Sequence, residues 1–216
     1  MDILYEDNHI IVVNKAPGEI VQGDKTGDTP IVDLLKHYLK EKYNKPGNVF
    51  CGVVHRIDRP VGGLVIFAKT SKALSRLNDM LRNGEINKTY RALVSGHPAR
   101  QEATLENYIV SDSQRNKSYI VDADRQGAKL SSLSYKTIEQ GQNYSLLEIK
   151  LHTGRKHQIR VQLSHMGHPI KGDLKYGARR SNQDACISIQ AATLDFINPV
   201  SKLPIHIEVP NPLSLP

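Results

Sequence analysis

An α+β fold built on a mostly antiparallel sheet is what this sequence predicts, and three observations lead there. From Lys88 onward the apolar residues recur with a period near two, in "KTYRALVSG", "ATLENYIV", "KSYIVD", "SSLSYKTIE" and "YSLLEIKL". Polar or glycine-containing turns separate these strands. The few helical segments do not alternate with strands in the strand–helix–strand order of a parallel sheet.

Taken in order, residues 2–6 and 9–14 form two short strands around the turn signal Glu6-Asp7-Asn8. "DTPIVDLLKHYLKEKY" carries a helix signature, with Thr29 as N-cap, Pro30 at the first helical position, and Ile31, Leu34, Leu35 and Tyr38 on one face. "NKPGN" breaks that helix, and residues 64–68 form an uninterrupted apolar run that suits a buried strand. Residues 70–82 predict a second helix, with Ala73, Leu74, Leu77, Met80 and Leu81 as its apolar face and Gly84 ending it. "GRKHQIRVQLSHMG", residues 154–167, predicts a third helix ended by Gly167. Two last strands follow at 186–196 and 204–209. Without internal repeats, low-complexity tracts or a long linker, residues 1–216 read as a single domain.

Bulk properties narrow the function classes. Hydrophobic residues make up 39% of the chain, enough for a packed core. No apolar run approaches the roughly 18 residues of a membrane-spanning helix. The opening "MDILYEDNHIIVVNK" lacks the basic-then-apolar order of a signal peptide. Cys51 and Cys186 sit in no pairing pattern, which fits a reducing cytoplasm, although one long-range disulfide stays open. The 29 Lys and Arg against 22 Asp and Glu leave a net charge of +7, which favours a polyanionic partner such as nucleic acid.

The 9 histidines invite a metal site. His152, His157, His165 and His168 cluster near Asp173, yet no pair has the i,i+4 spacing of two ligands on one helical face. Hydrogen-bonding or surface histidines are the plainer reading, and no metal is predicted. The nucleophile elbow, the phosphate-binding loop and the dinucleotide fingerprint are all missing. Asp58 stands out among the carboxylates. Arg56 and Arg59 flank it, and their positive charge favours its ionised form at neutral pH. Pro60 and Gly62-Gly63 allow a tight approach of backbone to ligand. Local chemistry leaves two readings open: a nucleophile or charge stabiliser at a basic groove, or a turn aspartate in a surface ion pair.

Longer motifs narrow that choice. "HRIDRPVGGLVIFAKT" resembles the H-R-L-D-x-x-T-S-G-L-x-x-x-A-K motif of RluA-type RNA pseudouridine synthases. "KTYRALVSGHP" resembles that family's K-x-Y segment, and "LHTGRKHQIRVQLSHMGHPIKGDLKYG" its L-x-T-G-R-x-H-Q-I-R and G-D-x-x-Y-G stretch. The ends, "ILYEDNHIIVVNKAPGEIV" and "SIQAATLDFINPVSKLPIHIEVPNP", resemble it too, so the likeness covers nearly the whole chain.

The resemblance implies the pseudouridine synthase catalytic fold, a mixed, mostly antiparallel sheet with flanking helices and a central active-site cleft. It implies isomerisation of uridine in structured RNA (ribosomal RNA, tRNA or both) without metal or organic cofactor. Asp58 matches the family's catalytic aspartate, and Tyr90 the tyrosine that stacks on the uracil. Arg160 matches the arginine that pairs with the catalytic carboxylate. Arg56 matches the arginine that fills the space left by a flipped base, while Arg155 and Lys156 read as phosphate contacts or loop supports. Extruding a base costs a few kcal/mol, and a stacking ring returns roughly 1–3 kcal/mol of it. Two positions depart from the family: Val61-Gly62 stands where Thr-Ser is usual, and Gln190 before Ala191 stands where His is usual. The predicted protein is a cytoplasmic monomer with RNA as partner, no membrane association and no separate N-terminal RNA-binding domain. The rival readings are a non-catalytic RNA-binding protein on the same fold and a nucleosidase-like hydrolase.

Overall fold

The runs IIVV and GLVIFA are too continuously apolar for a sheet with one wet face. In the computed structural model, which describes residues 1–215, both are strands buried on two sides. The elements are β1 (Asp2–Glu6), β2 (Ile10–Lys15), α1 (Ile31–Lys42), β3 (Gly52–Val53), β4 (Gly62–Ala68) and α2 (Ser71–Arg82), followed by β5 (Asn87–Ser95) and β6 (Glu102–Asp112). Then come β7 (Lys117–Val121), β8 (Lys129–Gln140), β9 (Tyr144–Leu151), α3 (Gln158–His165), a 3-10 turn at Leu174–Tyr176, β10 (Ile189–Ile197) and β11 (Pro204–Glu208). They fall into two units, the first Met1–Asn87 with Ala191–Pro210 and the second Lys88–Gln190 with the chain from Asn211.

In the first unit the strand order is β1-β2-β4-β10, with β11 antiparallel to β10 and β3 antiparallel to β4. Alternation along β2 and β4 sends side chains to both faces. Ile10, Val12, Leu64, Ile66 and Ala68 pack with Ala73, Leu77 and Met80 of α2 and with Leu194 and Phe196 of β10. Ile11, Val13, Val65 and Phe67 pack with Ile31, Leu35 and Leu39 of α1. Each face of the sheet thus has its own helix.

The helix ends show how far local signals reach. Thr70, expected inside the second helix, is its cap, the hydroxyl accepting from Ala73 N at 3.2 Å, and Gly84 follows the end as expected, with φ +71°. At α1 the cap position is Pro30 rather than Thr29. The first helical N–H groups donate instead to main-chain carbonyls, Ile31 N to Ile20 O at 2.8 Å and Val32 N to Val21 O at 3.3 Å, so no side-chain cap is needed. Leu34, expected on the apolar face, is exposed, and Val32 is buried in the core with Ile31.

Glu6 ties β1 to α1 and to the residue after β4. Its carboxylate receives Lys69 Nζ and Lys42 Nζ at 2.7 Å each, Tyr43 OH at 2.7 Å and Tyr38 OH at 2.9 Å. Burial alone would raise its pKa, but the two ammonium groups and two phenols outweigh that and hold it at about 2.

In the second unit the order is β5-β9-β8-β6-β7, antiparallel at every step. Here β8 alternates buried and exposed residues, as period-two patterning demands. Val161 of α3 and Tyr176 of the 3-10 turn close a small core with Ile109 and Ile120. The third helix is shorter than predicted. His157 has φ 55° and ψ 21°, a left-handed conformation that no α-helix continues through, so residues 154–157 form a turn and α3 begins at Gln158. The mixed, mostly antiparallel α+β class expected from the sequence is the one observed.

Gly63 has φ +113°, and a Cβ there would lie 2.2 Å from Ala191 O, inside the backbone of β10. Gly63→Ala is therefore expected to cost about 3 kcal/mol or more and to lower the melting temperature by roughly 6–12 °C in a thermal scan. For Glu6 the folded-state pKa is depressed, so its contribution is fully present above roughly pH 4.3 and is lost as pH falls towards about 2. Glu6→Gln should cost about 2 kcal/mol at neutral pH. Denaturant melts across that acid range should show the variant losing less further stability than the parent.

Candidate active site

Asp58 lies in the segment between β3 and β4, half-buried, at the start of a turn closed by Val61 N donating to Asp58 O at 3.0 Å. The next carbonyl, Arg59 O, accepts from Gly18 N at 2.8 Å and from Lys15 Nζ at 3.0 Å. Lys15, the last residue of β2, is 1% exposed, and its ammonium also donates to Ala16 O at 3.0 Å and Glu19 O at 2.8 Å. Three N–H donors thus meet three carbonyls, which offsets the cost of burying the charge. The same lysine stands opposite Gly63 in the β2–β4 register. The Asp58 turn is consequently fastened to the end of β2 from two sides.

Val61-Gly62 lies within those fastenings. Val61 is buried at 4% exposure, and a Cβ on Gly62 would approach Pro17 Cγ to 3.1 Å. Main-chain bonds and the lysine hold this turn. Of the two flanking arginines, Arg59 turns away: Nε donates to Gly18 O at 3.1 Å and the guanidinium pairs with Asp28. The Arg59 side chain thus serves the neighbouring loop. Arg56 is exposed and makes no hydrogen bond or ion pair among the described residues.

In the second unit, Tyr90 is on β5, opposite Ile149 of β9, and 7% exposed. Arg160, on α3, is gripped by Asp173 in two-toothed fashion, Nε to Oδ2 at 2.7 Å and Nη2 to Oδ1 at 2.9 Å. Both side chains are buried, at 7% and 1% exposure. A guanidinium has five N–H donors, more than one carboxylate can take. The Arg160 guanidinium carbon also lies 5.0 Å from the centroid of the Tyr176 ring. The Tyr176 hydroxyl is held by Ser118 N and by His157 Nδ1, at 2.8 Å each. Burial raises the Tyr176 pKa, so the phenol is neutral over the whole physiological range.

Asp173 and Tyr176 are functional candidates that sequence reasoning left out of the site. Their signal was present in "GDLKYG", but a carboxylate and a tyrosine in a loop do not announce which arginine they hold. Lys15 was likewise passed over, since a lysine ending an apolar strand reads as a solvated edge. The turn before α3 is wired by Gln158, whose Oε1 accepts from Thr153 Oγ1 at 2.8 Å and from Arg155 N at 2.9 Å. Arg155 donates from Nε and Nη2 to Leu130 O at 3.3 Å, a loop support, while the Lys156 side chain is exposed. His152 meets Ser134 Oγ at 2.7 Å and His168 meets Ser95 O at 2.8 Å, the hydrogen-bonding roles expected of them. Among the described residues no cluster of three or more His, Cys, Asp or Glu is placed to hold a metal ion. Burial pushes the Cys51 thiol up to about 12, which removes it as a nucleophile.

The family this chain matches makes it an isomerase that acts on RNA. Residues 9–165 match the family model described as RNA pseudouridylate synthase, and the chain belongs to that family, in the RluA-type group its motifs resemble. Ribosomal large subunit pseudouridine synthase D of Zymomonas mobilis is 34% identical over 227 residues, covering 100% of this chain and 71% of the relative. An uncharacterised RNA pseudouridine synthase of Bacillus subtilis is 33% identical over 215 residues, covering 98% of this chain and 69% of the relative. The solved structure of human RNA pseudouridylate synthase domain containing 4 matches with a TM-score of 0.81 at 22% identity, over 98% of this chain and 88% of that one, a likeness of fold.

Asp173→Asn removes the charge that balances a buried guanidinium. It is expected to destabilise the protein by roughly 3 kcal/mol in urea melts, whereas Arg155→Ala, on an exposed side chain, should cost under about 1 kcal/mol.

Proposed function

We propose that this chain converts specific uridines of structured RNA to pseudouridine, with Asp58 as the catalytic carboxylate. The observation that carries the reading is the Asp58 turn itself, an aspartate in the HRID motif, half-buried and held by Lys15 and Gly18 through the adjacent carbonyl. In the reaction the N1–C1′ glycosidic bond breaks, the uracil turns, and a C5–C1′ bond forms while the C5 proton is lost and N1 gains one. Atoms and electrons balance without water, oxidant or reductant, so the chemistry calls for neither metal nor organic cofactor. The carboxylate acts either at C1′ or by way of a glycal, and both routes need it ionised.

The roles of the other residues follow from their chemistry. Tyr90 offers a neutral ring on which a detached uracil stacks, worth roughly 1–3 kcal/mol. Arg160, held in plane by Asp173, keeps a fixed positive charge buried in the second unit, the group that the family resemblance pairs with the catalytic carboxylate. Arg56, exposed and uncommitted, suits the gap left by an extruded base, because a planar guanidinium stacks on its neighbours. Arg155 and Lys156 flank the turn before α3, where an RNA phosphate would find them. The relatives named for the large ribosomal subunit make its RNA the first substrate to try, with tRNA second. The chain is taken to work as one catalytic domain, a cytoplasmic monomer.

Asp58→Ala is the test, read by tritium release from RNA labelled at C5 of uridine. The expected result is at least about a thousandfold loss of turnover with RNA affinity kept within about threefold. Full residual turnover would remove Asp58 from the mechanism. Free uracil among the products would mark a hydrolase, and RNA binding without turnover by the parent chain would mark a binding protein.

A further inference from the structure

A second basic surface lies in the second unit, outside the residues given catalytic roles. An open groove of about 390 Å³ runs between the first residues of β7, the end of α3 and the 3-10 turn. Lys117, Lys175 and His165 line it together with the rings of Tyr119 and Tyr176, and no carboxylate is among the lining residues. That volume is within the range of small-ligand sites, enough for a nucleotide unit.

The charges in this groove are uncompensated. Lys117 Nζ lies 5.3 Å from the Tyr176 ring centroid and 5.6 Å from that of Tyr119, held by two rings rather than by an anion. Lys175 Nζ donates to a neutral acceptor, Asn116 O, at 3.0 Å. The nearby acids are engaged elsewhere: Asp173 is buried against Arg160, and Asp112 approaches Arg115 at 3.8 Å. One ammonium group over two aromatic rings and a second held by a carbonyl, beside an open channel, are what an RNA backbone needs, phosphate oxygens for the cations and ribose or base faces for the rings. The floor of the groove is the same Tyr176 that lies against Arg160, so a strand seated here rests on the residue that braces the catalytic arginine.

The geometry points to this groove as a phosphate-binding track for the substrate RNA, with Lys117 and Lys175 as its contacts. The inference rests on the proposed function and extends it to a surface that selects RNA by backbone rather than by base. Lys117→Gln with Lys175→Gln is measured against in vitro-transcribed, unmodified large-subunit ribosomal RNA over a series of salt concentrations. The double variant should bind about tenfold more weakly, and its log–log salt slope should be shallower by roughly 1–2, since each lost phosphate contact removes about 0.7–0.9. KM should rise by a similar factor with kcat within about twofold.

Lys117→Arg with Lys175→Arg keeps the charge and should keep the parental slope. A parental slope and KM in the glutamine variant would overturn the inference. So would weaker binding in both double variants alike, because packing on the rings rather than charge would then be at stake. The two readings fail separately: an inactive parent whose salt slope still depends on Lys117 and Lys175 removes the function and keeps the groove, while an active parent with an unchanged slope does the reverse. A parent that does not bind this RNA removes the groove as well.

Discussion

The ammonium of Lys15 is the constraint on which the candidate catalytic loop depends. A charge buried this deeply is tolerated only when every donor is met, and the three partners here are carbonyls of Ala16, Glu19 and Arg59. Two of those belong to the turn after β2 and the third to the Asp58 turn, so one side chain joins segments distant in sequence. Losing any of the three contacts weakens the solvation of a buried charge, which is costly. Gly63 adds a steric condition: β4 can begin where it does only because no Cβ intrudes on Ala191. A lysine and a glycine therefore fix the backbone from which Asp58 projects, although neither carries the reaction.

The second unit uses charge in the same way. Asp173 neutralises Arg160 locally while fixing the plane of its guanidinium, and Tyr176 closes one side of that plane. The tyrosine is in turn held by Ser118 and His157, and His157 adopts the left-handed backbone that starts α3 late. A helix of only eight residues is thereby oriented by hydrogen bonds at its beginning rather than by its own propensity. The strained His157 belongs to this network, as backbone outliers near functional groups commonly do.

Much of this was legible in order along the chain. The double-sided burial of β2 and β4 follows from IIVV and GLVIFA, whose continuity a half-wet sheet could not carry. The end of α2 was readable from Gly84. The start of α1 was not, because its first donors are satisfied by Ile20 and Val21, residues that no local rule connects to Pro30. The end of the third helix was marked by Gly167, but its beginning depended on His157, whose φ no residue preference would assign. Asp58, Tyr90 and Arg160 were nominated as site residues through long motifs, Asp58 also by its flanking arginines. The partner of Arg59 was not legible, because Asp28 reaches it from a loop distant in sequence.

What the sequence alone determined is what depends on period, on turn chemistry and on motif: the α+β class, the two faces of the central strands, and the family with its candidate aspartate. Those features are set by neighbours within a few residues or by residue order, and both are visible in a string. The tertiary structure alone decided which charges meet. Arg160 takes Asp173, Lys15 takes three carbonyls, and Lys117 rests on two rings, because electrostatic and hydrogen-bond partners are chosen by distance in space and by desolvation. Neither of those quantities can be read from separation along the chain.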